Sequence, residues 1–366
     1  MTDRRTSHPH HMHDAILAQP DRIARVLREQ SAPIERAAAA AAARRRILFA
    51  GIGTSYNAAQ LGAFFLRHLT SGRVLAHVEQ SFELVHYPLA LGPDDVVLLS
   101  SHRGWKNYSV EALKLAKQAG ALTIAVTGEL GGEGMGLADF RITTCEQEAS
   151  FAHTKSFTSA LAALALFAVH LALHRGHLPH SPGLSAKLAA LDAVPGAVRE
   201  ALACENSCAT AAQAIAARAR LIFVGAGPHW VTAREAALKV KETCYLHAEG
   251  LETEEFLHGP FSEMDTRASL LAPLAGGPGD ARLLQALTAL GELGVHRVAV
   301  ISRGMAAPSA EQVIEVPAVP EWLSVFTHLV PVQFLSYHLA LARGTNPDTG
   351  RQHEPPHSRA QSLFRL

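Results

Sequence analysis

At 366 residues, with 48% hydrophobic side chains and 33 basic against 33 acidic residues, the chain is long enough for two cores and has no formal net charge. That balance excludes a chain disordered throughout and gives no ground for nucleic acid as a partner. No apolar run reads as a membrane span, and the opening MTDRRTSHPHHMHDAILAQP lacks the apolar core of a signal peptide, so no membrane partner is expected.

In chain order, the His8–His13 cluster lies in a proline-containing segment and reads as a surface tail. From Asp14 to Gln30, Ile16, Leu17, Ile23, Val26 and Leu27 recur at helical spacing, and an alanine-rich helix is expected from about Ala32 to Arg46. RRRILFAGIGTSYNAAQLGAFFLRHL then predicts a short strand at Ile47–Ala50, a glycine turn and a long helix. Strands are expected at Arg73–Glu79, Val96–Ser100, Leu122–Thr127 and Phe140–Thr144, with helices at Ser109–Gln118 and about Ser156–His174. Short β runs alternating with helices argue for a parallel sheet covered on both faces.

The loop HRGHLPHSPGLS (His174–Ser185) breaks the helical pattern with two prolines and two glycines, and marks a boundary. Beyond a connecting helix the order begins again, since ARLIFVGAGPHWVTAREAALKV matches RRILFAGIGTSYNAAQLGAFF. Further strands are expected at Leu270–Pro273, Arg297–Ser302 and Val313–Val316. The expected fold class is therefore α/β, two tandem domains that are each a parallel sheet flanked by helices. The boundaries read as an N-terminal segment over residues 1–26, domains at 27–180 and 195–345, and a tail at 346–366. The two G-x-G turns lack a third glycine at dinucleotide-binding spacing, which argues against a nucleotide cofactor.

Cys145, Cys204, Cys208 and Cys244 form no C-x-x-C pair and read as reduced, packed thiols of a cytoplasmic protein. His170 and His174 lie one turn apart, but no acidic residue stands between them and no third ligand is evident. No metal and no cofactor are expected.

Three segments of the first half supply anion-binding candidates. Thr54 and Ser55 open a helix, where they can cap it, hold phosphate oxygens, or do both. The strand ending at Ser100 runs into Ser101, His102, Arg103 and Lys106, and Arg103 can grip a carboxylate or phosphate with two parallel hydrogen bonds. His153 and Thr154, with Lys155, precede another helix. The corresponding turn of the second half, LLAPLAGGPGD, has no hydroxyl cradle, so one anion site per chain is expected. The second half instead offers Glu235, Lys239 and Glu242 on one helical face, then Glu252, Glu254, Glu255 and His258-Gly259-Pro260 in a following loop. A carboxylate, an ammonium and an imidazole are the groups needed to move a proton beside a carbonyl; surface ion pairs give the same spacing.

Several of these motifs in order resemble the sugar isomerase (SIS) domain proteins, in particular the two-domain isomerase half of the glutamine–fructose-6-phosphate aminotransferases. GIGTSYNAA is similar to that family's first phosphate loop, HTKSFT to its S-T-K-x-F-T segment, and EAALKVKETCYLHAEGLETEEFLHGP to its E-x-A-L-K-x-K-E…HAE…HGP signature. VPVQFLSYHLALARGTNPD resembles the closing helix and turn. The resemblance implies that Glu242 shuttles a proton between C1 and C2 of an open-chain sugar and that Lys239 assists. It implies that His258 opens the ring across a dimer interface, and that Thr54, Ser55 and Ser101 contact a phosphate. A phosphosugar ligand and a homodimer follow as expectations.

The departures bear on the substrate. Where the family reads S-x-S-G-x-T, this chain reads Ser101-His102-Arg103-Gly104-Trp105-Lys106, so Arg103 replaces a serine and Lys106 a threonine. His153 stands where a serine would be, and Gln361 falls where the family's tail lysine forms a Schiff base. No amidotransferase region precedes this half, so glutamine-dependent amination is not expected of it. The expected function is an aldose–ketose isomerase, or a deaminating isomerase, of a sugar phosphate or amino-sugar phosphate. The alternative is a regulator that senses a sugar phosphate without turning it over.

Overall fold

The computed structural model describes residues 5–364. In chain order, α1 (His11–Leu17), α2 (Gln19–Glu29) and α3 (Ser31–Ala42) lead into β1 (Arg46–Gly51), α4 (Thr54–Leu69), β2 (Leu75–Gln80), α5 (Ser81–His86), β3 (Asp95–Ser101) and α6 (Asn107–Gln118). Then come β4 (Leu122–Thr127), α7 (Gly132–Met135), β5 (Phe140–Thr143), α8 (Lys155–His174), α9 (Ser185–Ala201) and α10 (Glu205–Ile215). The pattern repeats with β6 (Arg220–Gly225), α11 (His229–Cys244), β7 (Ala248–Glu252), α12 (Thr253–Leu257), β8 (Ala268–Leu274), α13 (Asp280–Glu292), β9 (His296–Ser302), β10 (Gln312–Val316), α14 (Ser324–Ala342) and α15 (Pro355–Gln361).

Contacts divide the chain into two compact units. The first comprises Asp21–Glu148, Lys155–Ala193 and the chain from His353 onward; the second comprises the residues up to Pro20, Ala149–Thr154 and Val194–Gln352. Each is α/β around one five-stranded parallel sheet, of order β2-β1-β3-β4-β5 in the first unit and β10-β9-β8-β6-β7 in the second. Counted from each unit's own first strand, these are the same order. Both faces of each sheet are covered, which is why β3 and β8 are buried at all seven positions and read as unbroken apolar runs. On one face of the first sheet Leu48, Ala50, Val97 and Leu99 pack with Leu84, Leu113 and Ala116; on the other, Phe49 reaches Gly62 of α4.

The twin G-x-G turns have a steric cause in each unit. A β-carbon on Gly51 would lie 2.4 Å from the Ser55 carbonyl carbon and oxygen, and one on Gly225 would lie 2.2 Å from the His229 oxygen. Gly53 and Gly227, with φ of 57° and 55°, take the left-handed conformation that starts each helix. The motif therefore closes a strand onto the first turn of its helix.

Several sequence expectations are corrected. The His8–His13 cluster is no tail. The Tyr337 hydroxyl lies 2.7 Å from His8 Nδ1 and accepts the His10 N–H, while the Asp348 carboxylate accepts the N–H groups of His11 and Met12 at the start of α1. His13 and His338 both meet Glu205 Oε1, at 2.9 and 3.0 Å. These partners lie 192 to 337 residues away in sequence, beyond any local pattern.

The helix expected from Asp14 to Gln30 is interrupted at Ala18, just before Pro20, which has no N–H to donate. The alanine-rich helix ends at Ala42, and Arg46 already belongs to β1, bonding Asp95 of β3 with two guanidinium nitrogens. The segment read as a glutamate-rich loop holds β7 and α12; as an edge strand rich in glycine and glutamate, β7 gave no alternating signal. Two stretches, Lys155–His174 and Glu321–Ala342, are long and apolar enough to span a membrane, contrary to the expectation of none. They are 94% and 83% buried inside the chain, as core helices are. All four cysteines are buried and unbridged.

Gly51→Ala is expected to cost about 2 kcal/mol or more in urea unfolding, because its methyl would meet backbone that cannot move aside. Gly92→Ala meets nothing within 4 Å and is expected to stay within about 0.5 kcal/mol of the parent.

Candidate active site

In the first unit the strand order reverses between β1 and β3, so the chain leaves these neighbours toward opposite faces of the sheet. A crevice at the carboxyl ends of such a pair is where open α/β sheets bind ligands. Thr54 and Ser55 follow β1, and Ser101, His102, Arg103 and Lys106 follow β3, so these six candidates share one sheet edge. Both residues after β1 are half-buried, and the Ser55 hydroxyl has no protein partner among the described residues.

The loop after β3 is held from behind. Thr127 Oγ1 donates to Ser101 O at 2.7 Å, and His102 O accepts both the Gly128 N–H and Gln147 Nε2. Gly104, at φ 72°, lies so close to Gly131 that a β-carbon would fall 1.7 Å from its oxygen. Ser100 Oγ is buried with no hydrogen-bond partner. Arg103 and Lys106 are half-buried, and neither meets a carboxylate among the described residues. Burial, and then the charge of Arg103, hold the Lys106 ammonium below its ordinary pKa.

Lys155, at the start of α8, is already committed: its Nζ lies 2.5 Å from Glu146 Oε1, and Arg22 grips the same carboxylate with two nitrogens at 2.7 and 2.9 Å. Burial raises the Glu146 pKa, but these hydrogen bonds outweigh it and hold the group at about 2. Candidates His153 and Thr154 fall in the short segment that belongs to the second unit. There the Phe151 N–H donates to Asp348 O and the Phe151 ring lies against Gly350.

The second sheet reverses between β6 and β8, and its equivalent turn is filled by the protein itself. One Asp280 oxygen accepts the N–H groups of Ala275, Gly276 and Gly277 at 2.9, 2.7 and 3.2 Å. The Glu321 carboxylate stands against Gly277, where a β-carbon would lie 2.1 Å from its Oε1. Burial pushes Asp280 up despite those three bonds, and burial and then Asp280 push Glu321 up. Two carboxylates at this turn repel an anionic ligand, which gives the expectation of a single anion site a physical reason.

On α11 of the second unit, Lys239 is wholly buried and its Nζ lies 3.3 Å from Glu235 Oε1 and 2.5 Å from Glu242 Oε2. Burial would push the ammonium pKa down, but the two carboxylates outweigh it and hold it above its ordinary value. Glu235 is as buried as the lysine, whereas the Glu242 side chain is 21% exposed and is the member of the set that reaches the surface. His258 stands apart: it is exposed, and its hydrogen bond and ion pair both go to Glu254, which Arg282 also holds. Glu252 caps α12, and Glu255 completes that capping box, so these two glutamates have structural roles.

Sequence reasoning passed over Asp280. Asp280 was legible as the aspartate closing a glycine-rich turn before a helix, a position where a carboxylate meets free N–H groups.

The SIS domain profile matches residues 41–170 and 214–343. The chain is 29% identical over 349 residues to the isomerizing glutamine–fructose-6-phosphate aminotransferase of Thermococcus kodakarensis, covering 95% of this chain and 58% of that one. It thus spans little more than half the length of such relatives. Its fold is similar to the C-terminal domain of glucosamine-fructose-6-phosphate aminotransferase from Francisella tularensis, with a TM-score of 0.84 and 21% identity over 93% of this chain and 99% of that one. It is likewise similar to tagatose-6-phosphate ketose/aldose isomerase from Escherichia coli (TM-score 0.75, 20% identity, 95% and 98% covered). A third similar fold is glucosamine-6-phosphate deaminase from Thermotoga maritima (TM-score 0.73, 19% identity, 93% and 97% covered).

Removing the cation of the buried set should be severe: Lys239→Met takes away the ammonium that lies between two carboxylates, at an expected cost of about 3–5 kcal/mol in urea unfolding. Glu146 gives a pH signature. Its folded pKa is depressed, so its contribution is full above an unfolded value of about 4.3 and is lost as pH falls toward about 2. The melting-temperature gap between the parent and Glu146→Gln should therefore be widest near neutral pH and close across that acid window.

Proposed function

We propose that this chain, which belongs to the SIS domain family, is an aldose–ketose isomerase or deaminating isomerase of a sugar phosphate or amino-sugar phosphate. The observation that carries the reading is the buried Glu235–Lys239–Glu242 set, in which a lysine kept charged by two carboxylates sits beside the one carboxylate that reaches the surface. Isomerisation moves a proton between adjacent carbons. Glu242 takes the proton from the carbon next to the carbonyl and returns it to the neighbouring carbon, while the buried Lys239 ammonium, 2.5 Å from Glu242 Oε2, holds that carboxylate in place. Glu235 holds Lys239 in place and in its charged form. The same proton transfer from an aminated carbon yields a ketimine, which water hydrolyses to the ketose and ammonia.

The anion-binding groups of the first unit, Ser55, Ser101, Arg103 and Lys106, suit a phosphate. His258, whose side chain is 77% exposed, suits a residue lent to a partner copy in a homodimer. Gln361 is an amide and cannot form an imine with a ketose, which fits a reaction other than glutamine-dependent amination.

Proton NMR in D2O with a panel of hexose and hexosamine phosphates tests the chemistry. The parent should exchange the C1 or C2 hydrogen of one of them, and Glu242→Gln should slow that exchange by about 100-fold or more. Tight binding of a phosphosugar with no exchange would favour a sensing role and sink the isomerase reading.

A further inference from the structure

We propose that the loop after β3 is charge-selective: Arg103 and Lys106 make it choose a doubly negative phosphate over a singly negative group such as a sugar carboxylate. The proposal deepens the phosphosugar reading above and rests on it for the sugar, though not for the anion.

The argument begins with charge. Arg22, Arg46, Lys117 and Lys155 of the same unit each meet a carboxylate within 2.8 Å. Arg103 and Lys106 meet none among the described residues, although both are half-buried and close enough for one to act on the other. Such a pair is costly in the absence of an anion, since each charge opposes the other and both have lost part of their water. A ligand of charge −2 neutralises both. A ligand of charge −1 leaves one cation uncompensated in the same half-buried place. A cradle of hydroxyls has no such counting rule, because neutral dipoles gain less from the second negative charge.

The loop cannot relieve this strain by moving away. Its backbone is tied to Thr127, Gly128 and Gln147, and Gly104 is wedged against Gly131. At the same edge the hydroxyl of Ser100, in a residue only 2% exposed, has no hydrogen-bond partner among the described residues. The site sits where the strand order reverses, which is also where the sheet leaves room for a ligand.

Titration calorimetry on the full chain, with inorganic phosphate, a hexose 6-phosphate and a hexuronate as probes, tests the proposal. Both phosphates should bind at least about tenfold tighter than the hexuronate, and their affinity should fall as pH drops through the second phosphate ionisation near about 6. Raising the salt from about 50 to 200 mM should weaken them further. R103S/K106T, which restores neutral side chains, should lose about tenfold in phosphate affinity and most of the preference over hexuronate. Should that variant fail to fold, Arg103→Gln and Lys106→Gln, each deleting one charge, should each lose part of the preference. Unchanged affinity and preference in these variants, or a parent that favours the hexuronate, would overturn the proposal. The two readings fail separately. Phosphate binding that depends on Arg103 and Lys106, without proton exchange in any sugar, overturns the isomerase reading alone. Exchange that persists with unaltered affinity in R103S/K106T overturns charge selectivity alone.

Discussion

The contact between a strand's last glycine and the first turn of the helix that follows it governs much else in this protein. At Gly51 and at Gly225 there is no room for a β-carbon, so the chain turns sharply at the carboxyl edge of each sheet. That turn sets the start of α4 and of α11, and with them the positions of Thr54 and Ser55 in one unit and of the Lys239 helix in the other. The parallel order 2-1-3-4-5, counted within each unit, then places the loop after the third strand beside the turn after the first. A ligand crevice at that edge is a consequence of topology before any particular side chain is chosen.

On this shared frame the two units have diverged in charge. The first leaves two cations at its crevice with no carboxylate partner among the described residues, while the second fills the matching turn with Asp280 and sets Glu321 beside it. The same backbone feature, a row of N–H groups at the head of a helix, thus invites an anion in one case and is satisfied internally in the other. What the second unit contributes instead lies along α11, where the charges are buried rather than displayed. A lysine with no exposure is tolerable only because two carboxylates flank it, and this arrangement leaves Glu242 as the accessible end of the set.

Much of the fold was legible in the residues. Buried parallel strands are unbroken apolar runs, so β1, β3, β4, β6, β8 and β9 stood out, and the repeated strand–G-x-G–helix pattern revealed the duplication. Features decided by distant partners were not legible. The histidines near the N-terminus read as a tail because Tyr337, Glu205 and Asp348, which bond them, are hundreds of residues away. β7 was missed because its glutamates and glycine carry no alternating pattern, and its pairing with β6 is what makes it a strand. The apolar stretches that form α8 and α14 can be read as core or as membrane from composition alone, and only packing separates the two.

The candidate site divides in the same way. By itself the sequence determined which chemistry was present: hydroxyls and cations after β1 and β3, and a carboxylate, lysine, carboxylate spacing on one helix face, because helical periodicity and motif order are local properties. Only the tertiary structure decided how those groups are used. It buried Lys239 and Glu235 while leaving Glu242 at the surface, bound Lys155 to Glu146, and left Arg103 and Lys106 without a counter-charge among the described residues. The physical reason is that a charge takes its meaning from its burial as well as its partners, and burial is set by segments far apart in the chain.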